Sequence, residues 1–147
     1  MMEITINTPA LLFPAITLIM LAYTNRFLAL SARIRALHDE YLGGAKEKHI
    51  IGQIKNLRSR INLIRYMQMF SVISFLLCIF CIYAIYKGWL HWAHYIFGVS
   101  LVTLFSSLLL SLIEINKSTK ALELELSDIE ELSESNLFKD IFRREDE

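Results

Sequence analysis

Residues 66–113 read YMQMFSVISFLLCIFCIYAIYKGWLHWAHYIFGVSLVTLFSSLLLSLI, and Lys87 is the one Asp, Glu, Lys or Arg among them. A bilayer core of roughly 30 Å needs about 20 residues of helix to cross it. The stretch is therefore two spans, about 66–86 and 89–113, with Lys87-Gly88 as the turn between them. A third uncharged run, Ile4 to Asn25, is densely apolar from Pro9 to Tyr23 and places a first span at about 8–25. Thr8 followed by Pro9 is a helix start, a capping hydroxyl and then a residue with no N–H to leave unsatisfied. Pro14 falls inside the span and should kink it, because its ring clashes with the carbonyl of Ala10. No basic residue precedes this run, only Glu3, and no small-x-small site interrupts it, so it is expected to stay as a span rather than be cleaved as a signal.

Working outward, the whole chain agrees with a membrane protein. Of its 147 residues 54% are apolar and 20% charged, which excludes a disordered chain and is unlike an ordinary soluble domain. Fifteen Lys and Arg balance fifteen Asp and Glu, so no basic field points to nucleic acid. Two cysteines do not make a disulfide scaffold. Nine basic residues (Arg26, Arg33, Arg35, Lys46, Lys48, Lys55, Arg58, Arg60 and Arg65) lie between spans one and two, against Lys87 alone in the short turn. By the positive-inside rule the long loop and the C-terminus face the cytoplasm, and the N-terminus faces out. Tyr83, Tyr86, Trp89, Trp92 and Tyr95 cluster at the outer edge, and Tyr23 and Tyr66 are expected to mark the inner one.

Outside the bilayer the pattern turns heptad-like. Phe27, Leu30, Ile34, Leu37 and Tyr41 form one apolar stripe, and Ile50, Ile54, Leu57, Ile61 and Ile64 form another after the turn signal Gly43-Gly44. No breaker separates either stripe from its span. Residues 26–65 are thus expected to be an antiparallel helical hairpin that continues two membrane helices into the cytoplasm. A further stripe, Ile115, Leu122, Leu126, Ile129 and Leu132, marks an acidic C-terminal helix at about 114–133. The tail, 134–147, is either a short docking helix (Leu137, Phe138, Ile141, Phe142) or frayed. Eleven acidic residues face five basic ones from Glu114 onward, whereas the hairpin carries nine basic against three acidic. Equal and opposite surpluses on elements at one membrane face imply that they pack, within one chain or between chains. Burial of the stripes would dominate, since exposed ion pairs contribute only about 0–1 kcal/mol each. The expected fold is a single all-α membrane domain over 1–147, an elongated three-helix bundle whose three transmembrane helices extend into the cytoplasm.

Several side chains invite a chemical reading. Ser100, Thr103, Ser107, Ser111 and Glu114 share one face of span three. That face is a pore lining if several copies assemble, with Glu114 as a charge ring at the inner mouth. It is a helix–helix interface if the small hydroxyl residues serve close approach, and this reading is preferred. Glu114 is expected at the membrane boundary, where it avoids a full burial cost. His91 and His94, spaced i,i+3, are weak metal-ligand candidates, because the outer face offers only Glu3 as a further ligand; interfacial anchoring fits them better. Cys78-x-x-Cys81 lies mid-span, without the electropositive, accessible setting of a redox pair, and reads as small core residues. The chain has no Gly-rich phosphate loop, nucleophile elbow or His-Glu-x-x-His, so neither an enzyme nor a cofactor is expected.

The N-terminal run TPALLFPAITLIMLAYTNRFLALSARIRALH, with Thr8, Pro9, Pro14, Tyr23, Asn25, Arg26, Phe27 and Leu28 as its distinctive positions, resembles the opening of an uncharacterised family of small bacterial inner-membrane proteins. The resemblance extends over about Thr8 to Leu132. It implies a bacterial, multi-span membrane protein and supplies no activity, ligand or catalytic residue. The function expected is a non-enzymatic membrane module that oligomerises or binds another membrane protein, with a small homo-oligomeric ion channel as the alternative. The partners expected are the lipid bilayer, a second copy or another membrane protein, and no nucleic acid.

Overall fold

The computed structural model describes residues 3–44 and 48–145, with side chains over 3–44 and 50–135. The described residues contain four helices and no strand: α1 (Asn7–Ala10), α2 (Leu12–Leu42), α3 (Lys48–Tyr86) and α4 (Leu90–Glu145). Three helical stretches, Asn7–Leu42, Ile50–Tyr86 and Leu90–Ser135, are long and apolar enough to cross a membrane. The fold is all-α and of the three-helix membrane class. It divides into two compact units, Met1–Leu112 and Ile113–Glu147.

The first unit opens differently from the expected cap. α1 starts at Asn7, preceded by Ile6, whose backbone is already helical (φ −56°, ψ −31°) and gives no capping side-chain bond. Thr8 lies inside the helix, with its N–H on the Thr5 carbonyl at 3.0 Å. Because the chain turns helical before Asn7, main-chain carbonyls take up first-turn N–H groups and no hydroxyl cap is needed. Pro9 still sits in the first turn, where its missing N–H costs nothing. The effect of Pro14 shows as an interruption between α1 and α2. Leu11 keeps helical angles (φ −65°, ψ −25°), so what is lost there is the hydrogen-bond ladder, since Pro14 has no N–H to offer the Ala10 carbonyl.

Glycines end the two helices that turn back. Gly44 (φ +110°) follows α2, and its N–H reaches the Tyr41 carbonyl. At the end of α3 the N–H of Gly88 (φ +78°) bonds the Ile85 carbonyl at 2.9 Å and that of Trp89 bonds the Ala84 carbonyl at 2.9 Å. Those two bonds are the Schellman pattern, which requires the left-handed backbone that glycine adopts without strain.

The buried positions of the first unit recur every seven residues, the spacing that keeps one seam facing a partner helix. On α2 they are Ile16, Tyr23, Leu30 and Leu37. On α3 two such series run, Ile50, Leu57, Ile64, Ser71 and Cys78 beside Met67, Ser74 and Cys81. On α4 they are Ala93, Ser100 and Ser107. All ten residues of the two hairpin stripes, from Phe27 to Tyr41 and from Ile50 to Ile64, join one apolar cluster with Tyr23 and Met67. The antiparallel hairpin is thus held by burial of its stripes, each fully covered Leu or Ile contributing about 1.5–3 kcal/mol. Toward the other end Ile16, Cys78 and Leu104 form a second cluster. Ile4, Cys81, Ala84 and Ala93 form a third, in which the N-terminal segment lies over the α3–α4 turn region.

The second unit is the remainder of α4. Its helix does not stop near 133 but runs to Glu145; Ser133 to Leu137 contain neither Gly nor Pro to end it. The side chains of Leu137, Phe138, Ile141 and Phe142 lie outside the described residues. Ile115, Leu122, Leu126, Ile129 and Leu132 are all exposed, from 39% to 64%.

Candidate functional site

The polar side chains buried in the first unit gather on the seam between α3 and α4. In lipid, apolar side chains gain nothing by turning inward, so close packing and interhelical hydrogen bonds hold helices together. Small residues fill the seam accordingly. Ser74 Oγ donates to the Ser100 carbonyl at 2.9 Å and Ser100 Oγ donates to the Ser74 carbonyl at 3.1 Å, the two hydroxyl oxygens being 3.1 Å apart. Such reciprocal bonding to main-chain carbonyls brings the two backbones close, which no larger side chain at either position would allow. The Cys78 thiol reaches Ser100 Oγ at 3.0 Å, and the Cys81 thiol donates to the Ala93 carbonyl at 3.4 Å.

Toward the hairpin a second node ties all three long helices. Ser107 Oγ lies 2.8 Å from Ser71 Oγ, 2.9 Å from the Met67 carbonyl and 3.3 Å from the Tyr23 hydroxyl. The Tyr23 hydroxyl points to the Ser107 carbonyl at 3.5 Å. Beside this node, Gln68 Nε2 donates to Thr24 Oγ1 at 2.9 Å, which links α3 to α2 again. Ser71, Ser74, Ser100 and Ser107 are all fully buried, and each is hydrogen-bonded, as buried polar groups in an apolar setting must be. The hydrogen-bonded groups of the seam are hydroxyls, thiols and main-chain carbonyls.

The hydroxyl face predicted on α4 divides. Ser100 and Ser107 enter the seam. Thr103 is only partly buried and donates to Val99 of its own helix at 2.7 Å, while Leu104 takes the fully packed position beside it. Ser111 is partly buried. Glu114 belongs to the second unit and is 2% exposed; it does not lack a polar partner, which is what lets a carboxylate stay buried. Tyr23 also departs from expectation. It is 3% exposed and turned to Ser107 instead of the inner lipid edge, because its hydroxyl finds buried acceptors there, whereas Tyr66 stays exposed. The aromatics expected at the outer edge, Tyr83, Tyr86, Trp89, Trp92 and Tyr95, are all exposed.

Neither His91 nor His94 is drawn toward further ligands. His94 Nδ1 lies 2.7 Å from the Leu90 carbonyl of its own helix, and His91 stands edge-on to Tyr95 at 5.2 Å. Among the described residues no group of three or more His, Cys, Asp or Glu comes together. Cys78 and Cys81 are free thiols, buried in the seam. The partners that sequence reading did not anticipate are Ser71 and Ser74. Their signal was the run Ser71, Ser74, Cys78, Cys81, small residues at 3-4-3 spacing within an otherwise bulky span.

A family described as a protein of unknown function (DUF2721) matches residues 6–124. No curated protein and no solved structure matches the chain.

Proposed function

Since the chain belongs to this DUF2721 family of proteins of unknown function, its own geometry is the premise from which we propose a non-enzymatic, multi-span integral membrane module that oligomerises or binds a partner. The observation that carries this reading is the apolar stripe of the second unit. Ile115, Leu122, Leu126, Ile129 and Leu132 stay exposed on the acidic part of α4, which follows the uncharged run 88–113. Contiguous apolar surface outside lipid marks a docking face. The buried polar groups of the seam are engaged with each other, which supports a structural role for them.

The membrane proposed is the bacterial inner membrane, with the N-terminus outside and the hairpin and C-terminus in the cytoplasm. Nine basic residues between the first two spans against Lys87 in the short turn support that orientation. A channel lined by the Ser/Thr face of span three has no comparable support, because Ser100 and Ser107 are fully buried in a seam within one chain. Chemical cross-linking of the full chain in native membranes tests the proposal. Products larger than the monomer are expected; monomer alone, over a range of linker lengths, would overturn it.

A further inference from the structure

We infer that the occupant of the acidic helix's apolar stripe is the basic hairpin of a second copy of this chain. The inference rests on the partner-binding reading above and names the partner. Charge points to it. The hairpin region carries a surplus of six basic residues, and the chain from Glu114 onward a surplus of six acidic ones. On the hairpin Arg33, Arg35, Lys55, Arg58 and Arg65 are exposed. Lys55, Arg58 and Arg65, at i, i+3 and i+10, share one face of α3. On the acidic helix Glu123 and Glu130 flank the stripe on one side, Glu125 and Asp128 on the other, and all four are exposed.

Length agrees with charge. From Arg26 to Leu42 the hairpin's first arm runs about 25 Å at 1.5 Å per residue, and the stripe from Ile115 to Leu132 runs about the same. Three spans put the hairpin and the C-terminal helix on one membrane face, so neighbours in one bilayer present the two elements to the same side. The same charges argue against other occupants. Two acidic helices side by side would set Glu123, Glu125, Asp128 and Glu130 against their own copies. An anionic lipid surface would repel the helix as well. Burial of the stripe would supply the attraction, and charge would select the partner and fix its register.

Oxidative cross-linking of full-length chains in membranes tests this. One copy carries Leu122→Cys and one tag; a differently tagged copy carries Arg58→Cys. Leu122 lies nine residues beyond Ile113, and Arg58 eight before Tyr66. A disulfide-linked product bearing both tags is expected. It should be lost when Glu123→Lys and Asp128→Lys are added to the first copy, and it should weaken as salt rises. The inference is overturned if the doubly tagged product never forms. It is equally overturned if Leu122→Cys and Arg58→Cys placed in one chain link only within that chain. It is also overturned if amine-reactive linkers still trap oligomers or another protein while this pair stays unlinked. That last result leaves the partner-binding reading standing, whereas monomer alone with every linker sinks both.

Discussion

Replacing Ser107 by leucine tests the seam where it is tightest. Ser107 is fully buried, with its Oγ 2.8 Å from Ser71 Oγ and 2.9 Å from the Met67 carbonyl. A leucine puts carbon at that position, and carbon prefers contacts of about 3.5–4.0 Å. It then adds two methyl groups where no open space exists. α4 must retreat from α3 by about 1 Å, which would also stretch the Ser74–Ser100 bonds, now 2.9 and 3.1 Å, out of hydrogen-bonding range. Overpacking costs about 1–3 kcal/mol, and each interhelical hydrogen bond lost in a membrane about 0.6 kcal/mol. With three or four bonds affected, Ser107→Leu should destabilise by about 3–5 kcal/mol. Ser107→Ala loses bonds without overpacking and should cost about 1–2 kcal/mol. Ser106→Leu is the control, since the Ser106 hydroxyl donates to Val102 of its own helix, and it should stay within about 0.5 kcal/mol of the parent. Equilibrium unfolding in mixed detergent and SDS micelles, followed by far-UV circular dichroism, gives all three values. If Ser107→Leu proves no worse than Ser106→Leu, the seam is not what holds α3 to α4.

In the hairpin, Leu37→Ala should cost about 2–4 kcal/mol and speed protease cleavage within 26–65, because Leu37 is 8% exposed in the apolar cluster; Leu42→Ala, at 69% exposure, should leave cleavage unchanged. Gly88→Ala meets no atom within 4 Å of the added Cβ, so only the left-handed backbone is penalised, by about 1–2 kcal/mol. That corresponds to a fall in Tm of about 2–8 °C, and an unchanged Tm would contradict the Schellman end of α3. Pro14→Ala restores an N–H opposite the Ala10 carbonyl and should fuse α1 to α2. The Ala10 carbonyl 13C shift reads this directly: an unmoved signal would mean that the missing N–H is not what interrupts the ladder.

How much was legible in the sequence depended on the charged residues around each segment. Where charged residues surround a stripe, its apolar residues stand out. The stripes Phe27 to Tyr41 and Ile50 to Ile64 could be read residue by residue, and all ten fall in one cluster. Within the spans that contrast vanishes, because lipid-facing and partner-facing positions are equally apolar. Leu101 and Val102 are exposed while Leu104 is buried, and nothing in their hydrophobicity distinguishes them. Small polar residues carry the signal there instead, legible on α4 as Ser100 and Ser107 but missed on α3 as Ser71 and Ser74. Tyr23 was misread for a related reason. A tyrosine near a span's end suits the headgroup layer as well as it suits a buried acceptor, and only the geometry of Ser107 decides between them. At the N-terminus Thr8 had the right chemistry for a cap, but the backbone from Thr5 onward was already turning.

One seven-residue repeat therefore serves two surroundings with opposite residue types. On α3 it runs Ile50, Leu57, Ile64, Ser71, Cys78, buried throughout, and it changes character between Ile64 and Ser71. Beside it Met67 belongs to the apolar cluster of the hairpin while giving its carbonyl to Ser107. On the hairpin side, where charged residues surround the stripes, burial of bulky apolar side chains drives association. On the span side that drive is absent, so the seam narrows to serine, cysteine and alanine, and hydrogen bonds with close backbone approach take over. A helix built this way resists sliding along its partner, because a shift of one repeat would bring Ile64 to the place of Ser71, where α4 has room only for a hydroxyl. The three-way node at Tyr23, Ser71 and Ser107 thus sets the register for the spans and for the hairpin emerging from them, so the repeat that closes the bundle in lipid also fixes the height at which the hairpin's basic face is presented.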